Sequence, residues 1–219
     1  MPRALFEKTG NAIWISHLDL MRVFQRAFKR AGLHLTHTQG FNPRPSVSIA
    51  LPLSVGIESC CELLDFDLED NHLSNEEILK VLNANLIDGV KVLSVYGDFS
   101  KIKNLAYLDC VLNLEYDSGV TADAVEQLRQ LFGREEVIVE KRTKNGPKPE
   151  NIIPMIRKME IVCADEHVLE LHVRVCCQNP SLNPMQLSAA IAEYLPKLTP
   201  DFVKCRRVEI YDTNESVFR

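Results

Sequence analysis

Polar and apolar positions alternate through residues 3–8 and again through 12–15, which predicts a strand interrupted at Thr9-Gly10-Asn11 by a turn or bulge. The period then changes. Leu20, Val23, Phe24, Ala27, Phe28 and Ala31 recur at the spacing of one buried helix face, so residues 17–31 should be an amphipathic helix. Ser16 is its N-cap, with Asp19 in the place of the capping acid, and Gly32 ends it. Leu33–His37 can form a short strand, while the prolines of Gly40–Pro45 remove ladder donors and predict a loop. Val47–Leu53 and Cys61–Leu68 read as strands. Ser74-Asn75-Glu76-Glu77 is a capping box opening a helix with Ile78, Leu79, Leu82 and Leu86 inward, and Val90–Tyr96 is a further strand.

The second half repeats the order. Tyr107–Glu115 alternates as a strand, and Thr121 caps a helix burying Val125, Leu128, Leu131 and Phe132. Glu136–Arg142, Ile156–Ala164 and Val168–Cys176 are strand candidates, the first two separated by a Lys/Pro/Gly loop. Asn183-Pro184-Met185-Gln186 sets an N-cap, a first-turn proline and a capping glutamine ahead of a helix with Leu187, Ala190, Ile191 and Leu195 inside, and Val203–Tyr211 is the last strand. The fold class expected is α+β: two tandem ferredoxin-like (split βαβ) domains with antiparallel sheets, over residues 1–99 and 105–219, joined near Gly97–Asn104.

A chain of 219 residues has room for two such cores. No apolar run approaches the ~18 residues of a membrane span, and Met1–Lys8 lacks the apolar stretch of a signal peptide, so a cytoplasmic protein without a membrane partner is expected. Seven cysteines, an odd number, suit reduced thiols. The Cys60-Cys61 and Cys176-Cys177 pairs lack metal-ligand spacing, and the chain holds no cluster-binding Cys triplet, Walker lysine loop, zincin motif or serine-hydrolase elbow.

Charge changes the picture more. The net charge is -5, yet from Met1 to Ser48 seven basic residues face only Glu7 and Asp19, a local excess of +5. On helix 17–31, Arg22, Arg26, Lys29 and Arg30 form one stripe opposite the core, able to meet phosphates or an acidic protein. The next segment offers Gln39, Phe41, Asn42 and a proline-flanked Arg44, pre-organised for a phosphate or carboxylate, unless Arg44 instead pairs with Glu62 or Asp65. A second basic cluster includes Lys141, Arg142, Lys144, Lys148, Arg157 and Lys158. His17, Asp19 and His37 are the candidates for acid and base chemistry. Phe41 is the better candidate for an exposed base-stacking aromatic, and Trp14 reads as packing.

Phe6-Glu7-Lys8-Thr9-Gly10, Ile15-Ser16-His17-Leu18-Asp19-Leu20-Met21-Arg22, Gln39-Gly40-Phe41-Asn42-Pro43-Arg44-Pro45 and Leu51-Pro52-Leu53-Ser54-Val55-Gly56 resemble hallmarks of the radical SAM-linked family DUF2344. Lys141–Lys158 and Ser181-Leu182-Asn183-Pro184 are similar to its second half. The resemblance implies a radical SAM protein as partner, with the iron–sulfur cluster and S-adenosylmethionine held there and no cofactor in this chain. Three readings stay open: a non-catalytic recognition module for that partner, acting on RNA; a metal-independent ribonuclease using His17 and His37, as the tandem order is similar to that of CRISPR repeat-processing endonucleases; and an adaptor that binds protein alone.

Overall fold

The computed structural model describes residues 2–70, 72–143 and 146–219, with Arg142 and Thr143 described by their backbone. Two compact units divide the chain, Met1–Asn104 together with Arg219, and Leu105–Phe218.

The first unit runs β1 (Arg3–Lys8), α1 (His17–Arg30), β2 (Val47–Ala50), β3 (Ile57–Phe66), α2 (Asn75–Asn83) and β4 (Val90–Tyr96). Strand order is β4-β1-β3-β2, every neighbour antiparallel. Ala4 and Phe6 of β1 and Leu64 and Phe66 of β3 fall on one face by strand alternation, where they form a core with Leu20, Phe24 and Phe28 of α1 and Ile78 and Leu82 of α2. Phe6 and Phe24 meet edge to face, their centroids 4.8 Å apart. The capping box of α2 is complete: the Ser74 hydroxyl accepts from the Glu77 N–H, and the Glu77 carboxylate accepts from the Ser74 N–H at 2.8 Å.

Residues 12–15 do not extend β1. Gly10–Trp14 is a 3-10 turn, because the Lys8 ammonium donates to the carbonyls of Ile13 (3.1 Å) and Ile15 (2.8 Å) and folds the chain back on itself. Gly89 closes that corner. Its carbonyl accepts from the Thr9 N–H at 2.7 Å, its φ is +80°, and a Cβ there would lie 2.3 Å from the Thr9 carbonyl, so no side chain fits. Leu33–His37 is not a strand either, making only the isolated bridges Leu35 to Leu68 and His37 to Pro45.

The second unit runs β5 (Leu105–Glu115), α3 (Ala124–Phe132), β6 (Ile138–Thr143), β7 (Gly146–Asn151), β8 (Ile156–Cys163), β9 (Val168–Cys176), α4 (Met185–Tyr194) and β10 (Phe202–Asp212). Its sheet order is β10-β5-β9-β8, again antiparallel throughout. With β6 and β7 set aside as an inserted hairpin, both units place their strands fourth, first, third, second. The expected Lys/Pro/Gly loop is in part strand β7, which pairs with β6 through Pro147 and Pro149. The N-cap position of α4 is Pro184 rather than Asn183, although the Asn183 side chain accepts from the Met185 N–H and Gln186 accepts from the Asn183 N–H. Thr121 does not cap α3; the N-cap position is Asp123.

Candidate functional site

Helix α1 turns Leu20, Phe24, Ala27 and Phe28 to the core, which leaves Arg22, Arg26, Lys29 and Arg30 exposed on the opposite side. They are not equivalent. Arg22 pairs with Asp19 at 2.7 Å, and Arg30 donates to the Asn85 carbonyl. Arg26 and Lys29 make no ion pair or hydrogen bond among the described residues. Two of the seven basic residues counted in the N-terminal excess are withdrawn altogether: Arg3 is buried in a bidentate pair with Asp65, and Lys8 is fully buried.

The segment after α1 turns back on a short ladder. Thr36 N–H donates to Asp67 O, Ser46 N–H to Thr36 O, and Thr38 N–H to Arg44 O, while the Thr38 hydroxyl accepts from the Arg44 N–H. Gly40, at φ +139°, helps turn a tip in which Gln39, Phe41, Asn42 and Arg44 are all exposed, Phe41 completely so at 108%. Arg44 does not reach a carboxylate among the described residues: Asp65 is taken by Arg3, and Glu62 is buried against the Ser59 hydroxyl at 2.6 Å.

Between the second half of α1 and the base of this turn lies a cleft of about 450 Å³. Phe28, Leu33, Leu35 and Pro45 make it apolar; Arg26, Lys29, His34, His37 and Glu69 add its charged and titratable groups. The His34 carbonyl accepts from the Glu69 N–H at 2.9 Å, which fixes those two residues side by side. The cleft thus joins Arg26, Lys29 and His37, named from sequence, to His34 and Glu69, which were not. Their signal is tertiary, since the Leu35 to Leu68 bridge is what carries residue 69 back to residue 34.

The acid–base candidates are not brought together. His17 is the first residue of α1, its Nδ1 buried without a hydrogen-bond partner among the described residues, whereas His37 bridges to Pro45 and lines the cleft. His17 is not among the residues that line the cleft. Asp19 is engaged at the helix start, where its carboxylate accepts from the Ser16 hydroxyl at 2.7 Å; that bond and Arg22 hold it below the usual carboxylate range. Trp14 corrects the packing expectation, being 62% exposed with its ring against Gly56.

The second basic cluster is largely neutralised. Lys141 pairs with Glu150 at 2.9 Å and donates to the Ser181 carbonyl. Lys158 pairs with Glu215 at 3.0 Å, and Arg157 lies 3.7 Å from the same carboxylate. Lys148 is exposed and makes no ion pair among the described residues, Lys144 lies outside them, and Arg142 pairs with Pro147 along the β6–β7 ladder. Beside Glu215, Arg174 makes a bidentate bond to Asp109 and lies 3.7 Å over the Tyr211 ring. A shallow cleft of about 440 Å³ runs past Asp109, Lys158, His172 and Arg174, and His172 itself meets Glu170 at 2.8 Å.

Lys8 and Glu62 form a buried charged site beneath the start of α1 that sequence reasoning treated as surface. A bulge in β3 makes it: Phe6 pairs with Glu62 but Lys8 with Ser59, two steps against three. Burial pushes the Lys8 ammonium below its usual pKa, with Glu62 opposing the shift. The parity of Lys8 with Ala4 and Phe6 was the available signal. All seven cysteines are free, and burial pushes the Cys177 thiol up to about 12. No cluster of potential metal ligands occurs among the described residues.

An α+β chain of two antiparallel units with a cationic cleft on the first is the class these features define. The chain belongs to the family described as "Uncharacterized protein conserved in bacteria (DUF2344)", whose profile matches residues 2–184. No curated protein matches it. Among solved structures, a Cbf5-Nop10-Gar1 complex matches with TM-score 0.53 at 9% identity, over 95% of this chain and 48% of that one, a likeness of fold alone. An archaeal box H/ACA sRNP Nop10-Cbf5 complex gives 0.48 at 8% identity, over 94% and 46%, and an unknown protein from Galdieria sulphuraria gives 0.27 at 11%, over 94% and 96%. The chain spans about half the length of the first two. No helix among the described residues is long and apolar enough to cross a membrane.

Proposed function

We propose that this chain is a non-catalytic recognition module built of two ferredoxin-like units, working in the cytoplasm with a radical SAM protein on an RNA substrate. The shared fourth-first-third-second strand order with two helices per unit supports the fold reading. One observation carries the functional reading: Arg26 and Lys29 stand unpaired at an apolar cleft, beside a turn that presents a bare Phe41 and Arg44. Cations held free next to an exposed aromatic suit a single strand, whose phosphates and bases need both. The radical SAM partner rests on family resemblance, and the iron–sulfur cluster and S-adenosylmethionine belong to that partner. The alternative is a metal-independent ribonuclease using His17 and His37; the absence of His17 from the cleft that His37 lines favours the recognition module over it.

The test is crosslinking and pull-down of the full chain from its own cells, followed by sequencing of copurifying RNA and protein and a salt titration of the RNA complex. Discrete RNA together with a cluster-bearing protein is expected. The slope of log K against log salt should be about -0.7 for each phosphate contacted. Protein alone, held with no dependence on salt, would replace this reading with the adaptor; cleavage of RNA by the isolated chain in chelator would replace it with an enzyme.

A further inference from the structure

We infer that the cleft between α1 and the Leu33–Pro45 segment is a nucleotide pocket, taking the base of one residue of single-stranded RNA on its apolar floor and that residue's phosphate on Arg26 and Lys29. The inference deepens the RNA reading and rests on it for the source of the nucleotide.

The cleft combines features that separate ligands would not require. A bare phosphate has no use for a floor of Phe28, Leu33 and Leu35, all buried. An apolar side chain from a protein has no use for two unpaired cations at the mouth. A nucleotide uses both, since its base is a flat apolar body with a polar edge and its phosphate is anionic. The volume, about 450 Å³, falls in the range of about 300–1,000 Å³ typical of small-molecule pockets. His34 and His37 add rings of the kind on which unstacked bases settle. Glu69, fixed beside His34, repels a second phosphate and offers an acceptor to a base N–H. The orientation follows: phosphate toward α1, base edge toward Glu69. The carboxyl end of the α1 dipole works against an anion there, but it amounts to about half a charge, and Arg26 and Lys29 exceed it.

The experiment titrates the full chain with AMP, CMP, GMP and UMP separately, and with ribose 5-phosphate, inorganic phosphate and a hexaglutamate peptide as controls. Binding is followed by the histidine ring signals in NMR, with His34→Gln and His37→Gln assigning the two cleft rings. At least one nucleotide should bind tenfold or more tightly than ribose 5-phosphate and move the His34 and His37 signals. Arg26→Ala/Lys29→Ala, both surface changes, should weaken that binding at least tenfold. Equal affinity for ribose 5-phosphate, shifts that leave both rings unmoved, or tighter binding of hexaglutamate would overturn the pocket. Should the chain retain RNA yet bind no mononucleotide, the pocket falls while the recognition module stands. Should it bind mononucleotides yet retain no RNA, the pocket stands and the recognition module falls.

Discussion

α1 and α3 occupy the same place in their units, directly after the first strand, and differ in almost everything that meets solvent. The exposed side of α1 carries Arg22, Arg26, Lys29 and Arg30 against Asp19, whereas α3 exposes Glu126, Arg129 and Gln130, with no net charge. Both units hold a bidentate arginine–aspartate pair, Arg3 with Asp65 and Arg174 with Asp109, and they differ in the remaining cations. In the first, Lys8 and Glu62 are sealed inside and Arg26 and Lys29 have no ion-pair or hydrogen-bond partner among the described residues. In the second, Arg174, Lys158 and Lys141 are each met by a carboxylate. A shared strand order therefore fixes where helices lie and says nothing about which surface is available; that is decided by which cations find partners.

The contrast is sharpest in stability. Lys8 is sealed beside the Glu62 carboxylate, and stranding a buried charge costs about 3–5 kcal/mol, so Lys8→Met should lower urea stability by that amount, while Lys8→Met/Glu62→Leu should regain only part of it because the Ile13 and Ile15 carbonyls stay unpaired. Arg174→Met, at a site closer to water, should cost less, about 1.5–3 kcal/mol for bonds to charged groups. If both single variants unfold at the same urea concentration, the distinction between a fully sealed charge site and a nearly buried, carboxylate-paired one is wrong.

Binding gives the next largest effect. Arg26→Glu/Lys29→Glu should lower RNA affinity about 100-fold, at roughly tenfold per charge-assisted contact, measured by fluorescence anisotropy at fixed salt. Lys148→Glu, the same reversal on the second unit, should change it by less than about threefold if that unit stays outside the contact. Similar losses from the two variants would make the recognition surface bipartite.

The smallest effect is in acid. Glu215 is held below the usual carboxylate range by the hydrogen bond from Lys158 and then by Arg174. A carboxylate with a depressed native pKa contributes stability that is present above its unfolded pKa and disappears as pH falls through the native one. Between about pH 6 and 3, the melting temperature of Glu215→Gln should therefore fall less steeply than that of the wild type. An unchanged slope would mean that Glu215 leaves Lys158 and Arg174 solvated rather than paired.

Sequence periodicity located the helices because their cores are local: Leu20, Phe24 and Phe28 follow one another on a single face. It missed the 3-10 turn, since alternation at 12–15 looks like a strand until the Lys8 ammonium is seen to collect the Ile13 and Ile15 carbonyls. It also placed Trp14 inside, because nothing local reports that Gly56 supplies only a backbone shelf for the indole. Of the candidate site, the helix stripe was legible from spacing. The cleft was not, because Glu69 reaches His34 only through a bridge between residues 35 and 68.

The β6–β7 hairpin is a two-stranded sheet, with neither strand enclosed by a third among the described residues. An open ribbon of that kind invites a neighbouring molecule to add its own strand. In β7 the prolines stand at 147 and 149, two residues apart and so on the same side of the strand, where proline is tolerated because the missing N–H would point outward. The outer edge of the ribbon thus lacks donors at two successive positions, with Lys148 between them. At the high local concentrations of a growing polypeptide on a ribosome, the β7 edge is therefore a poor template for intermolecular sheet.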